Sequence, residues 1–283
     1  MKLEFEDIVV GDDADGQRLD KVLSASVPEL GLRGAKRLIE KSRVLVDGII
    51  RPKGYKLRPG QVIGLRLAQG AAQAKDPCAG VRVVKRAGEL AAVFKPGGLH
   101  TEPLAGSGDP NLRDCLAIVW PERGFQLLNR LDKPTSGLVL ASFSEQGRAQ
   151  YREQENSGRV RKTYLCLAHG RIAREKVLDY RLRTSGREKV RVGAERTDDM
   201  LRQTTITPLR YDAKLDYCLV RAVIRKGARH QIRAHMAASG NPIVGDVLYG
   251  STAEVKVLYL HHQIIETPEF TARVDPEWPE FQF

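Results

Sequence analysis

From residue 81 onward the chain is a succession of short β-like runs (VRVV, LAAVF, GLVLAS, TYLCLAHG, YCLVRAVI) separated by loops and a few helical stretches such as EQGRAQYREQEN. Parallel neighbours need a crossover of about a dozen residues or more, and few of these intervals hold one. The runs therefore favour a mixed, largely antiparallel α+β domain with flanking helices and loops over a doubly wound sheet. No repeat of solenoid period is present. Neither GxGxxG nor GxxxxGK[ST] occurs, so a nucleotide cofactor has no visible seat.

Residues 16–67 read as a separate small unit. Leu19, Val22 and Leu23 have helical spacing, and Ala35, Leu38 and Ile39 repeat it in GLRGAKRLIEK, which predicts two short amphipathic helices. VLV and II then flank Asp47-Gly48, a favoured hairpin turn pair, and Pro59-Gly60 precedes VIGLRL. Arg33, Lys36, Arg37 and Lys41 stand opposite the apolar stripe of the second helix, interrupted only by Glu40. Taken alone, such a charge run is a solvated face. AQGAAQAKDPCAG, small and polar, reads as a linker. The expected division is a small α/β module over residues 1–70, a linker over 71–80 and a larger domain over 81–283.

At 283 residues the chain can bury a sizeable core, and 42% apolar with 29% charged residues is the composition of a soluble globular protein. No apolar run approaches the roughly 18 residues of a membrane span. The start MKLEFEDIVV carries acids where a secretory signal is basic, so the cytoplasm is the expected location, with no membrane partner. Cysteines 78, 115, 166 and 218 lie too far apart for zinc or redox spacing, and structural thiols without a metal are expected. The net charge of +11 and pI near 9.6 point to a polyanionic partner.

Three stretches could carry chemistry. In LLNRLDKPTSGLVL, residues 127–140, Pro134 keeps Lys133 extended, Thr135-Ser136-Gly137 offers turn and capping chemistry, and an apolar strand follows. Local sequence reads Asp132 first as a turn carboxylate accepting backbone N–H groups, and Arg130 as a surface ion-pair former or a snorkelling side chain. In IRKGARHQIRAHMAASGNPIVGDVLYG, Arg225, Lys226, Arg229, His230, Arg233 and His235 crowd eleven positions, while Ile232 and Met236 give the helix start an apolar side. These cations either solvate a helix or grip phosphates and a buried carboxylate. The histidines read as hydrogen-bonders, and Asn241-Pro242 and Gly245-Asp246 as turns. Finally, Tyr164 in RKTYLCLAHG reads as core, and Lys95 in AVFKPGG as solvated.

Taken in order, QRLDKVL to GQVIGL, AVFKPGGLH, NRLDKPTSGLVL, RKTYLCLAHG, ARHQIRAH with GNPIVGDVLYG, and YLHHQ make the chain similar to RluA-type pseudouridine synthases preceded by an alpha-L RNA-binding module. The resemblance covers nearly the whole chain. It implies Asp132 as the essential catalytic residue and Arg130 as the side chain that fills the space of a flipped nucleotide. It also implies roles for Tyr164 and Arg233 in the reaction, with Arg229, His230 and Lys95 at the RNA. Arg33, Lys36 and Arg37 then become contacts to RNA phosphates.

The implied substrate is structured RNA, ribosomal before transfer RNA, converted by a monomer that needs no cofactor. A non-catalytic RNA-binding or assembly protein is the rival reading. Two positions depart from the family: Asn129 stands where histidine is usual, and Ala228 where arginine is.

Overall fold

A computed structural model describes residues 7–40, 44–47, 49–65, 78–104, 109–183 and 189–278. They form two compact units, one ending with the strand Val62–Leu65 and the other starting at Cys78.

In the first unit, β1 (Ile8–Val9) precedes helices α1 (Leu19–Ser26) and α2 (Gly31–Glu40), followed by β2 (Val44–Val46), β3 (Ile49–Ile50) and β4 (Val62–Leu65). The strands pair antiparallel in the order β1-β4-β2-β3. Leu19, Leu23, Ala35 and Ile39 bury the apolar stripes of both helices against Val44, Val46, Leu57 and Ile63. Burial of a large aliphatic side chain contributes about 1.5–3 kcal/mol, which stabilises helices too short to form alone. Asp47 takes the left-handed φ of 52° that a tight hairpin turn requires, and its carboxylate accepts the Val62 N–H at 2.9 Å. Gly48, Lys41 and residues 66–77, which hold most of the expected linker, lie outside the described residues.

The second unit opens with the hairpin β5 (Arg82–Ala87) and β6 (Leu90–Lys95), then α3 (Leu112–Val119), β7 (Gln126–Leu127), β8 (Ser136–Ser142), α4 (Glu145–Asn156) and β9 (Arg161–His169). It continues through β10 (Lys176–Leu178), β11 (Tyr180–Arg183), β12 (Arg191–Arg196), β13 (Thr204–Asp212), β14 (Tyr217–Ile224), α5 (Gln231–Ala238), β15 (Leu260–Glu266) and β16 (Thr271–Arg273). The main sheet runs β10-β13-β14-β9-β15-β8-β6-β5, with β7 added to β8 and β16 to β15, and β11 pairs with β12 apart from it. Among these pairings only β15 with β8 is parallel, so the unit is mixed and largely antiparallel. Gly137, at φ 119°, makes that pairing possible, because a Cβ there would strike the backbone carbonyl of His262.

Strand alternation divides the core between the two faces. Val139, Tyr164, Cys166 and Val220 pack with Leu112 and Leu116 of α3 and with Ile232 and Met236 of α5. Leu138 and Leu140 turn the other way, towards Tyr151 of α4 and Val160.

The expectation of four thiols is corrected. Cys78 and Cys115 form a disulfide with Cα atoms 5.5 Å apart, while Cys166 and Cys218 are buried thiols. The bonded pair is separated by 37 residues and meets because Cys78 and Val81 pack onto the cluster that holds Leu112 and Leu116. Short-range spacing does not register such a tertiary contact. Cys78, read as linker, is thus tied into the second unit.

Candidate active site

The loop between β7 and β8 carries Asp132, and both of its neighbours are pinned. Thr101 Oγ1 donates to Leu131 O at 2.7 Å and accepts Leu131 N–H at 3.0 Å. On the other side, Lys133 O accepts Gly98 N–H at 2.8 Å and Lys95 Nζ at 3.2 Å. The side chain of Asn129 completes the bracing, accepting Leu140 N–H at 2.7 Å and donating to Leu138 O at 3.3 Å. Its amide therefore pairs with the backbone of β8 as the peptide of a neighbouring strand would.

With the backbone so fixed, the Asp132 carboxylate is turned away from it. Asp132 O closes the turn to Thr135 N–H at 3.1 Å, whereas the carboxylate meets Arg233 Nη1 at 3.0 Å and lies 3.8 Å from His230 Nε2. The local reading of a carboxylate capping its own turn is corrected accordingly: the backbone carbonyl makes the turn and leaves the side chain for the cleft.

Arg233, on the buried helix α5, donates Nε and Nη2 to Asp246 at 2.7 and 2.8 Å while its Nη1 serves Asp132. Burial alone lowers its pKa, but the hydrogen bonds and charge of Asp246, joined by Asp132, outweigh it and raise the guanidinium above its usual range. Asp246 follows Gly245, whose Cβ, were there one, would strike the Val257 carbonyl. That tight turn places the acid behind Arg233.

His230 starts α5 in a left-handed conformation, φ 53°, with Nδ1 3.0 Å from Tyr249 Oη. Burial depresses its pKa, and the cations Arg233 and Arg229 add to this against the pull of Asp132. Tyr164, on β9, is 6% exposed and stacks on His262 with ring centroids 4.4 Å apart and planes 15° from parallel. Burial, then the charges of Asp132 and Glu155, raise its pKa and keep the phenol neutral.

Asp132, Tyr164, His230 and Arg233 line one cleft of about 1140 Å³, together with Arg130, Arg229 and the ion pair Lys162–Glu155. It is roomy for a nucleoside, since pockets for small ligands span roughly 300–1,000 Å³. Arg130 and Arg229 are exposed at it. Arg33 and Arg37 are exposed on α2 and Lys36 is half-buried there, opposite Ala35 and Ile39.

Lys95 departs from expectation. It is fully buried, donating to Leu99 O at 2.7 Å, Pro96 O at 2.9 Å and Lys133 O, and burial pulls its pKa down to about 7 against the charge of Asp132. With no exposed surface it braces two loops and cannot touch RNA. Sequence reasoning also missed Asp246, read only as part of a turn in GNPIVGDVLYG, and Tyr249, which it did not single out. The available signal was an acid in a glycine turn shortly after a cluster of arginines.

Comparison with known proteins fits this arrangement. Residues 89–238, just over half the chain, match the RNA pseudouridylate synthase family, and residues 17–63 match the S4 domain. The chain is 29% identical over 291 residues to an uncharacterized RNA pseudouridine synthase of Chloroflexus aurantiacus, covering 99% of this chain and 90% of the relative. It is also 29% identical over 254 residues to ribosomal large subunit pseudouridine synthase D of Xanthomonas campestris, covering 87% and 75%. The solved human RNA Pseudouridylate Synthase Domain Containing 1 shares the fold, with a TM-score of 0.55 at 20% identity over 71% of this chain and 84% of that one. The chain belongs to the RNA pseudouridylate synthase family, and is an RNA-modifying isomerase with an S4 domain ahead of its catalytic unit.

Proposed function

We propose that this enzyme converts uridine to pseudouridine in ribosomal RNA, with Asp132 as the essential carboxylate. The reaction breaks the N1–C1′ bond, rotates the uracil, forms a C5–C1′ bond, and moves a proton off C5 while N1 gains one. No electrons are exchanged, so a carboxylate at C1′, a ring against the base and a fixed counter-charge suffice. Asp132 works beside C1′, Arg233 holds it in place, and Tyr164 lies against the uracil.

The target uridine leaves its stack to reach the cleft, at a cost of a few kcal/mol, and Arg130 takes its place in the helix. The α2 face of Arg33, Lys36 and Arg37 holds RNA phosphates and sets placement. Ribosomal RNA is the preferred substrate because relatives matched over most of this chain are named for the large ribosomal subunit.

The observation that carries this reading is the Asp132 carboxylate, turned out of its own loop and opposed to Arg233 across the cleft wall. Large-subunit ribosomal RNA and transfer RNA carrying tritium at uridine C5, from a strain lacking the protein, provide the test. Wild type should release tritium from the ribosomal RNA and Asp132→Asn should not. Equal release by both proteins refutes the role of Asp132, and release from transfer RNA alone moves the substrate.

A further inference from the structure

The hairpin β11–β12 is absorbed neither by the cleft nor by the main sheet. Its inner side is apolar: Leu182 and Val192, opposite one another, pack on Val190, Ala234 and Tyr249. Alternation along two paired strands therefore sends Arg183 and Arg191 to the outer side, and they too are direct cross-strand partners. Like charges in that register repel, so the sequence keeps an arrangement that costs stability in the free protein.

Among the described residues, neighbouring cations are neutralised by acids and this pair is not. Arg181 pairs with Glu195 at 3.3 Å and Arg196 with Asp179 at 3.3 Å. Arg183 and Arg191 are exposed and have no acid partner among the described residues. Lys189, just ahead of β12, is exposed and brings a third cation to the hairpin, its Nζ 5.0 Å from the centroid of the Tyr249 ring.

The hairpin also reaches the catalytic residues. Val190 N–H donates to Tyr249 Oη at 2.9 Å, and that oxygen lies 3.0 Å from His230 Nδ1. Arg233 lies 5.2 Å from the centroid of the same tyrosine ring. One ring thus has the base of the cationic patch and the partner of Asp132 as its neighbours.

We propose that Arg183 and Arg191, with Lys189, form a second RNA-binding site that takes backbone phosphates of the strand flanking the target uridine. Two planar guanidinium groups side by side suit a phosphate or two consecutive ones, and bound phosphate removes their mutual repulsion. The inference rests on RNA being the substrate and not on which RNA it is.

The test measures binding of the full chain to an unmodified large-subunit ribosomal RNA transcript across a salt series, alongside tritium release. Each phosphate neutralised contributes roughly 0.7–0.9 to the slope of log affinity against log salt. The double variant R183Q/R191Q should flatten that slope by about 1.5, with the loss of activity falling on KM and not on kcat. R183K/R191K should restore most of the slope, and Arg181→Gln, whose charge is already paired, should leave it as in wild type. An unchanged slope in R183Q/R191Q overturns the proposal, as does a fall in kcat at constant slope, which marks a purely structural hairpin. If wild type binds this transcript but releases no tritium, the substrate assignment fails while the slope still decides the hairpin.

Discussion

Asp246 grips Arg233 by Nε and Nη2, at 2.7 and 2.8 Å, and leaves Nη1 for Asp132. The acid is 2% exposed, and its two bonds fix the plane of the guanidinium. In the proposed reaction Asp246 is thus a positioning residue, acting through Arg233. Asp246→Asn keeps the shape but loses the charge and one acceptor, so Arg233 is free to swing towards Asp132. By analogy with other residues that orient a reacting group from behind, kcat should fall about 10–100-fold. RNA affinity in a binding titration should match wild type, and an unchanged single-turnover rate of tritium release would remove Asp246 from the site.

Much of the fold was legible because it depends on near neighbours. Leu19, Val22 and Leu23 mark a helix face, and Asp47 before a glycine marks a hairpin, whatever the rest of the chain does. Asp132 was not legible locally: its turn is real, and it takes distant residues, Thr101 and Lys95 behind the loop and Arg233 in front of it, to leave the carboxylate facing the cleft. Lys95 looked solvated because nothing nearby in sequence reveals that the carbonyls of residues 96, 99 and 133 converge on it. The parallel pairing of β8 with β15 and the Cys78–Cys115 bond escaped for the same reason. Where spacing failed, the order of motifs along the chain, through the resemblance it carries, singled out Asp132, Tyr164 and Arg233, which the fold gathers in one cleft.

Asn129 braces β8 by one donated and one accepted hydrogen bond, and each partner is a backbone group. Asn129→Ala removes both and should cost about 1–3 kcal/mol in urea unfolding, with a parallel loss of activity as the Asp132 loop slackens. Asn129→Asp should be worse, since it keeps the acceptor for Leu140 N–H but turns a negative oxygen towards Leu138 O. Asn129→His, with one donor and one acceptor on its neutral ring, should come closest to wild type. If the alanine variant is as stable as wild type, the amide is not a brace.

His262 makes the stability of the second unit sensitive to acid. Its Nδ1 lies 2.6 Å from Leu138 O, an acceptor only, so Nδ1 carries the proton and donates. Among the described residues Nε2 has no hydrogen-bond partner, and it is buried, so protonating it would enclose an unpaired charge. Burial pushes the pKa of His262 down to about 3, and that of His261 to about 4. In the unfolded chain both return to about 6.5, so below that pH the unfolded state binds more protons. The stabilisation from neutral His262 is complete above about pH 6.5 and is lost as pH falls towards 3, at up to about 1.4 kcal/mol per pH unit. His262→Phe keeps the stack on Tyr164 and cannot titrate. At pH 7.5 it should be less stable than wild type by about 1 kcal/mol, for the lost bond to Leu138 O. In urea unfolding from pH 7.5 to 4.5 that difference should shrink and reverse sign, because the carboxylates titrate in both proteins and His262 in only one. Parallel stability curves for the two proteins would show that His262 does not carry the acid sensitivity.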